Sequence, residues 1–198
     1  MNFVIFSIIN YLVGSISWAL VIGKLFYKTD VREFGSKNLG ATNVGRTLGK
    51  IPAIIVAVLD ALKGFFCYII EVNIDPIAAI LTVIFAAIGH CYPIFAQFKG
   101  GKAVATSFGI LLALSISSYK EFILIFLIPL LIWLMIKKFT SLVSLASLIA
   151  LFISALLSLI CLNYYKSIVI FILFIFVSYR HKDNIKRLLA GKETKSNY

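Results

Sequence analysis

Charged side chains are scarce in this sequence. Asp, Glu, Lys and Arg make up 14% of its 198 residues, against 61% hydrophobic. A water-soluble domain of that size cannot hide so much apolar side chain, so a soluble fold is excluded and lipid is the expected solvent. Cysteine is scarce too. Cys67, Cys91 and Cys161 are odd in number, far apart, and each in or beside an apolar run. That spacing excludes a disulfide framework and a zinc site and leaves three small core residues. No cluster of His, Cys and carboxylates offers a metal site, and neither metal nor cofactor is expected. No basic residue precedes the first apolar run, and Lys24 follows it. The expectation is a retained span rather than a cleaved signal peptide.

Apolar runs are abundant instead. Seven can be drawn, at about 3–25, 51–70, 76–95, 103–118, 121–136, 142–162 and 167–179, several near the roughly 20 residues that cross a bilayer as a helix. The stretches EVNIDP, SISSYKE, KKFTS and NYYKS separate them, and Pro93 with Gly100 and Gly101 marks a partly re-entrant loop at 93–102. The expected fold is an all-α integral membrane protein of about seven transmembrane helices with cytoplasmic glycine-rich loops, one membrane domain over 1–198. With the N-terminus outside, every basic residue except Lys63, Lys120 and Lys166 falls on one side, 16 of 19. The positive-inside rule makes that side, with the C-terminus, cytoplasmic. The net charge of +11 therefore reads as topology and affinity for anionic headgroups. Nucleic acid is not an expected partner, because there is no soluble domain to present a groove reader.

The polar stretches collect on that same side. GSKNLGATNVGRTLGK (35–50) invites a nucleotide-binding reading, but Ala41 stands where a P-loop needs Lys, and Ile51 where it needs Ser or Thr. What remains is a loop whose glycines free the backbone to point amides inward. Ser36, Asn38 and Asn43 add neutral hydrogen-bonding groups, and Arg46 can fork onto phosphate oxygens. FKGGKAVAT (98–106) sets two glycines between Lys99 and Lys102 and opens a helix, the arrangement of an anion site at a helix N-terminus. His90 ends the preceding span. In YRHKDNIKRLLAGKE (179–193), helical spacing puts His181, Asn184 and Leu188 on one face, with Gly191 as the stop. Ser141 reads as an N-cap. Asp60 and Lys63, three apart inside a span, read as a pair with a structural or cavity-lining role.

These stretches, with GSISWALVIGKL, DALKG and FTSLVS, resemble in order and spacing the signature loops of the bacterial acyl-phosphate:glycerol-3-phosphate acyltransferases, the PlsY family, over nearly the whole chain. The resemblance implies a seven-helix inner-membrane enzyme. Such an enzyme transfers a fatty acyl group from acyl phosphate to the C1 hydroxyl of sn-glycerol 3-phosphate, giving lysophosphatidic acid and phosphate. It carries Ser36, Asn38 and Arg46 from the first motif, His90, Gly100, Gly101 and Lys102 from the second, His181, Asn184 and Glu193 from the third, and Ser141 after the fifth span. The chain departs from the family at Lys37 and Ala103, where glycine is usual, at Leu39 and Ser17, where proline is usual, and at Phe139, where tyrosine is usual. The H-x4-D chemistry of other acyltransferases is absent, since Phe95 and Lys186 stand five residues after the two histidines.

An acyl phosphate is already activated, and no Ser-His-Asp or Cys-His set is evident. Direct attack by the glycerol hydroxyl is therefore expected. Arg46 and Lys102 would bind the two phosphates, in either assignment, and His181, oriented by Asn184, or the leaving phosphate would take the proton. Acyl phosphate, glycerol 3-phosphate and the bilayer are the expected partners, with no obligate protein partner. The rival reading is a transporter or flippase for a phosphorylated metabolite or lipid. Binding at the midplane between broken helices would mark it, whereas the motifs here lie at one face. A lipid-binding scaffold would explain the charge but not two glycine-rich loops.

Overall fold

The computed structural model describes residues 1–196. They form two compact units, one of Met1–Ile110 and one that begins at Leu111. Every regular element among the described residues is helical.

The first unit holds α1 (Asn2–Gly14), α2 (Trp18–Tyr27), α3 (Ala41–Thr47), α4 (Lys50–Glu71), α5 (Pro76–Thr82), α6 (Ile84–Cys91) and the start of α7 (Val104–Ser115). The run at 3–25, expected as one helix, breaks at Ser15–Ser17. The buried Ser15 hydroxyl donates to the Tyr11 carbonyl at 2.8 Å and accepts the Ile94 N–H at 3.4 Å. The Tyr11 hydroxyl donates to the Tyr92 carbonyl at 2.9 Å. Away from water a break in a helix must find partners for its backbone, and the Ile16 carbonyl accepts from Lys63 Nζ at 3.0 Å. At the start of α5 the Asp75 side chain accepts the Ala78 N–H at 3.0 Å and Pro76 follows it, a start that needs no N–H from proline.

The helices of this unit close on one another through glycines. A Cβ at Gly14 would collide with the Ala86 backbone of α6, and one at Gly89 with the Tyr11 carbonyl of α1. Between α4 and α7, Gly64 meets the Thr106 carbonyl and Gly109 meets the Ala61 carbonyl in the same way. Lipid supplies little hydrophobic drive for helix association, so close packing at small residues carries it.

The second unit contains the end of α7, α8 (Tyr119–Glu121), a π-helical turn (Phe122–Leu127), α9 (Ile128–Thr140), α10 (Val143–Cys161), α11 (Tyr164–Arg180) and α12 (Lys182–Leu189). The π turn has a local cause. Pro129 has no N–H to give the Ile125 carbonyl four residues back, and the Ser154 hydroxyl donates to that carbonyl instead, at 2.9 Å. Ser154 belongs to a buried stripe on α10 with Ser144, Ser147, Leu151 and Ser158, the spacing of one helix face. Ser147 accepts the Trp133 indole N–H at 3.0 Å.

Five helical runs are long and apolar enough to cross a membrane: Asn2–Tyr27, Lys50–Glu71, Pro76–Ala96, Tyr119–Thr140 and Val143–Cys161. The other two expected spans fall below that length, with 12 residues in α7 and 17 in α11. Ile51, Ile70, Ile160 and Ile175 are exposed to between 62% and 72%. Outward faces this greasy suit lipid rather than water.

Candidate active site

In the first unit, the loop after α2 is built by its own side chains. The Asp30 carboxylate accepts from the Arg32 guanidinium at 2.6 to 3.2 Å and from the Arg32 N–H at 3.0 Å, and Lys24 lies 3.3 Å away. The Arg32 hydrogen bond above all holds the Asp30 carboxyl far below its ordinary range, against the opposing effect of burial. Asn43 pins the next turn. Its amide donates to the Val31 carbonyl at 2.8 Å and the Phe34 carbonyl at 3.2 Å, and its oxygen accepts the Ser36 N–H at 2.8 Å. Gly35 sits beside it at φ +56, where a Cβ would strike the Asn43 oxygen. Leu39 and Val44 anchor the loop in an apolar cluster with Ala19, Ile22, Val31, Ala53 and Val56. On this frame Ser36 and Arg46 are exposed and Asn38 is half-buried, with Arg46 in the last turn of α3. Asn43, read from sequence as one of three loop hydrogen-bonding groups, is here the loop's internal fastener.

The second stretch turns through a 3-10 helix (Ile94–Ala96) and takes left-handed backbone at Gln97, Phe98 and Ala103. The two glycines are needed first for packing. A Cβ at Gly100 would meet the His90 and Cys91 carbonyls and the Pro93 ring, and one at Gly101 would overlap the His90 imidazole. The Gly101 N–H is donated to the His90 carbonyl at 3.0 Å. Lys102, half-buried, leads into α7. His90, which resemblance assigned to substrate, is buried against a charged pair from α4. Lys63 Nζ lies 2.9 Å from His90 Nδ1, 2.9 Å from Asp60 Oδ1 and 3.0 Å from the Ile16 carbonyl. The expected Asp60–Lys63 pairing is therefore present. Its third partner, 27 residues from Lys63 in sequence, carried no local signal.

In the second unit, Ser141 is not an N-cap. It ends α9 in left-handed conformation at φ +59, Leu142 takes the N-cap position of α10, and the Thr140 hydroxyl accepts the Leu142 N–H at 3.1 Å. The Ser141 carbonyl accepts the Ser196 N–H at 2.8 Å. His181, buried, links α11 to α12, and its Nδ1 lies 2.8 Å from the Val177 carbonyl. A carbonyl only accepts, so Nδ1 carries a proton, and in the neutral ring Nε2 then keeps a lone pair. Glu193 is held from three sides: by Asn184 Nδ2 at 2.6 Å, Arg187 Nε at 2.8 Å and the Ser144 hydroxyl at 3.1 Å. Burial would raise the Glu193 carboxyl, but those hydrogen bonds and the Arg187 charge together hold it below its ordinary range. Gly191 stops α12 as expected, at φ +66. The Gly191 N–H reaches the Leu188 carbonyl at 3.0 Å and the Lys192 N–H the Arg187 carbonyl at 2.8 Å, the paired bonds of a Schellman ending.

Helices of membrane length, joined by polar loops that present Ser, Asn, Arg and Lys from pinned backbones, define the class: an integral membrane protein built to handle anionic ligands. A family model described as glycerol-3-phosphate acyltransferase matches residues 4–191. The glycerol-3-phosphate acyltransferase of Listeria welshimeri is 43% identical, over 98% of this chain and 96% of the relative. That of Thermotoga petrophila is 43% identical, over 100% and 98%. Among solved structures, PlsY, an integral membrane glycerol 3-phosphate acyltransferase, matches in its glycerol 3-phosphate form with a TM-score of 0.89 and 37% identity, over 98% of this chain and 96% of that one. Its lysophosphatidic acid form matches with a TM-score of 0.88. The chain belongs to the glycerol-3-phosphate acyltransferase family.

Proposed function

We propose that this protein transfers a fatty acyl group from acyl phosphate to the C1 hydroxyl of sn-glycerol 3-phosphate, the first acylation of phospholipid synthesis. The observation that carries the reading is the match along 98% of the chain to an integral membrane acyltransferase solved in a glycerol 3-phosphate form and a lysophosphatidic acid form. In the reaction, the glycerol oxygen bonds to the acyl carbon, the bond from that carbon to the phosphate oxygen breaks, and inorganic phosphate leaves. The hydroxyl proton goes to a base.

Arg46 and Lys102 bind the phosphates, with the backbone of Gly100 and Gly101 shaping the loop that carries Lys102 and His90 supporting it. Ser36 and Asn38 hydrogen-bond the reacting groups. Ser141 binds substrate, and Glu193 serves binding by fixing Asn184. His181 Nε2 takes the proton, and the contact that fixes its tautomer is the Val177 carbonyl. The acyl phosphate is already activated, so the reaction requires neither metal nor cofactor, and no protein partner. We place the chain in the bacterial inner membrane as one domain crossing seven times, with α7 and α11 as the short crossings. The N-terminus lies outside, and the C-terminus and the polar motifs are cytoplasmic, as the charge distribution supports. The test offers purified protein glycerol 3-phosphate with acyl phosphate or acyl-CoA, in EDTA. Lysophosphatidic acid from acyl phosphate alone is expected. Product only from acyl-CoA, or only after Mg²⁺ is restored, overturns the donor or the metal independence.

A further inference from the structure

The charged pair in α4 has more order than a buried salt bridge requires. A lysine ammonium has three N–H donors and no acceptor. Lys63 hydrogen-bonds the Ile16 carbonyl at 3.0 Å and His90 Nδ1 at 2.9 Å, and its charge lies 2.9 Å from Asp60 Oδ1 as an ion pair. Because the ammonium can only donate, the 2.9 Å contact with the ring is a hydrogen bond only if Nδ1 offers its lone pair. Nδ1 is also 3.5 Å from Asp60 Oδ1, so a proton on Nδ1 would face that carboxylate and cost Lys63 its acceptor on the ring. The other edge of the ring faces the loop, because a Cβ on Gly101 would overlap Nε2. His90 is thus held on one edge by α4 and meets the loop with the other, while its carbonyl takes the Gly101 N–H at 3.0 Å.

We propose that Asp60 and Lys63 are positioning residues for the 99–102 loop: together they hold His90 as the neutral Nε2–H tautomer, with its protonated edge set against Gly101 next to Lys102. The pair does not touch substrate. It acts by fixing the ring on which the glycine pair rests, and so the direction in which Lys102 leaves the loop. Ionisable groups inside a span are costly unless they serve such a purpose, and a tautomer fixed by the group on the opposite ring nitrogen is a recurrent way to aim a histidine.

The kinetic consequence rests on the acyltransferase reading; the tautomer does not. The chain has two histidines, so ring-¹⁵N-histidine protein in nanodiscs gives two sets of ring signals, assigned with a His181→Gln sample. At neutral pH, His90 is expected with Nε2 protonated and Nδ1 bare. An Nδ1–H tautomer or an imidazolium overturns the proposal, and this measurement needs no variant at Asp60 or Lys63. The second arm is the double variant Asp60→Asn/Lys63→Met, which removes both charges so that neither is stranded. Its expected signature is mixed His90 tautomers and a KM for glycerol 3-phosphate or for the acyl donor raised about tenfold, with a smaller change in kcat. Wild-type values for both KM, with an unchanged tautomer, overturn the proposal and leave the pair as packing only. If the wild-type protein does not acylate glycerol 3-phosphate, the function fails, while the nitrogen spectrum still decides the inference.

Discussion

At the level of single residues, Arg46 and His181 carry different parts of the proposed chemistry. Arg46 is proposed as a planar, two-pronged phosphate clamp, and Arg46→Lys keeps the charge but loses the fork. A lost charge-assisted hydrogen bond is worth roughly 1.5–3 kcal/mol, so kcat/KM should fall about 10- to 150-fold, as steady-state assays would show. Retention of full activity would remove the fork from the account. His181→Ala should instead lower kcat, by about 10²–10⁴-fold for a lost general base. Substantial activity in His181→Gln would return the proton to the leaving phosphate. Lys37 and Ala103 belong to this scale as well. Both stand at left-handed backbone, φ +57 and +59, at the positions where the family usually has glycine. That backbone costs an L-residue roughly 1–2 kcal/mol. Lys37→Gly and Ala103→Gly should therefore stabilise the protein by up to about 1 kcal/mol each, since glycine's extra freedom in the unfolded chain returns part of the gain. Thermal unfolding in one detergent checks this. The departures thus strain the backbone of the two loops without removing a functional side chain.

At the scale of elements, the α12 region is closed by the Glu193 carboxylate. Its folded pKa is depressed, so its contribution to stability is present above the unfolded value of 4.5 and is lost as pH falls through the lower folded value. Amide protection in α12, relative to the intrinsic exchange rate, should be high at pH 7 and fall only on acidification below 4.5, and Glu193→Gln should weaken the dependence. Fast exchange at neutral pH would contradict the clamp. The stop of α12 was legible because one residue, Gly191, decides it, and so was the pairing of Asp60 with Lys63, three apart on one helix. Ser141 misled because two helices meet there, and the preceding one claims it as a left-handed ending. The break at Ser15–Ser17 and the π turn before Pro129 were not legible. The Ile16 carbonyl at the break accepts from Lys63 and the Ile125 carbonyl from Ser154, side chains distant in sequence. For the same reason His90 could be named from its motif but not placed against Lys63.

For the whole molecule, the proposed direction rests on charge. Single cysteines at Asn73 and Tyr164 should react with an impermeant thiol reagent added outside intact cells, and those at Lys37 and Lys195 only after permeabilisation. The half-buried native Cys161 is replaced in the background. The opposite pattern would put the motifs on the wrong face and remove their access to cytoplasmic glycerol 3-phosphate. Composition alone excluded a soluble fold, and the ordered polar loops, more than any single residue, pointed to the family. The internal geometry that makes those loops rigid, above all Asn43 and the His90 contact, depends on contacts that local patterns do not encode.

The central claim is direct acyl transfer between two phosphorylated substrates. One time course tests it: phosphate and lysophosphatidic acid are followed together, on a stoichiometric amount of enzyme, with acyl phosphate present and glycerol 3-phosphate either supplied or withheld. The account predicts that both products rise together in equal amounts with the acceptor present, and that neither rises beyond the uncatalysed rate without it. A burst of phosphate equal to the enzyme concentration in the absence of glycerol 3-phosphate would show an acyl-enzyme and contradict the account.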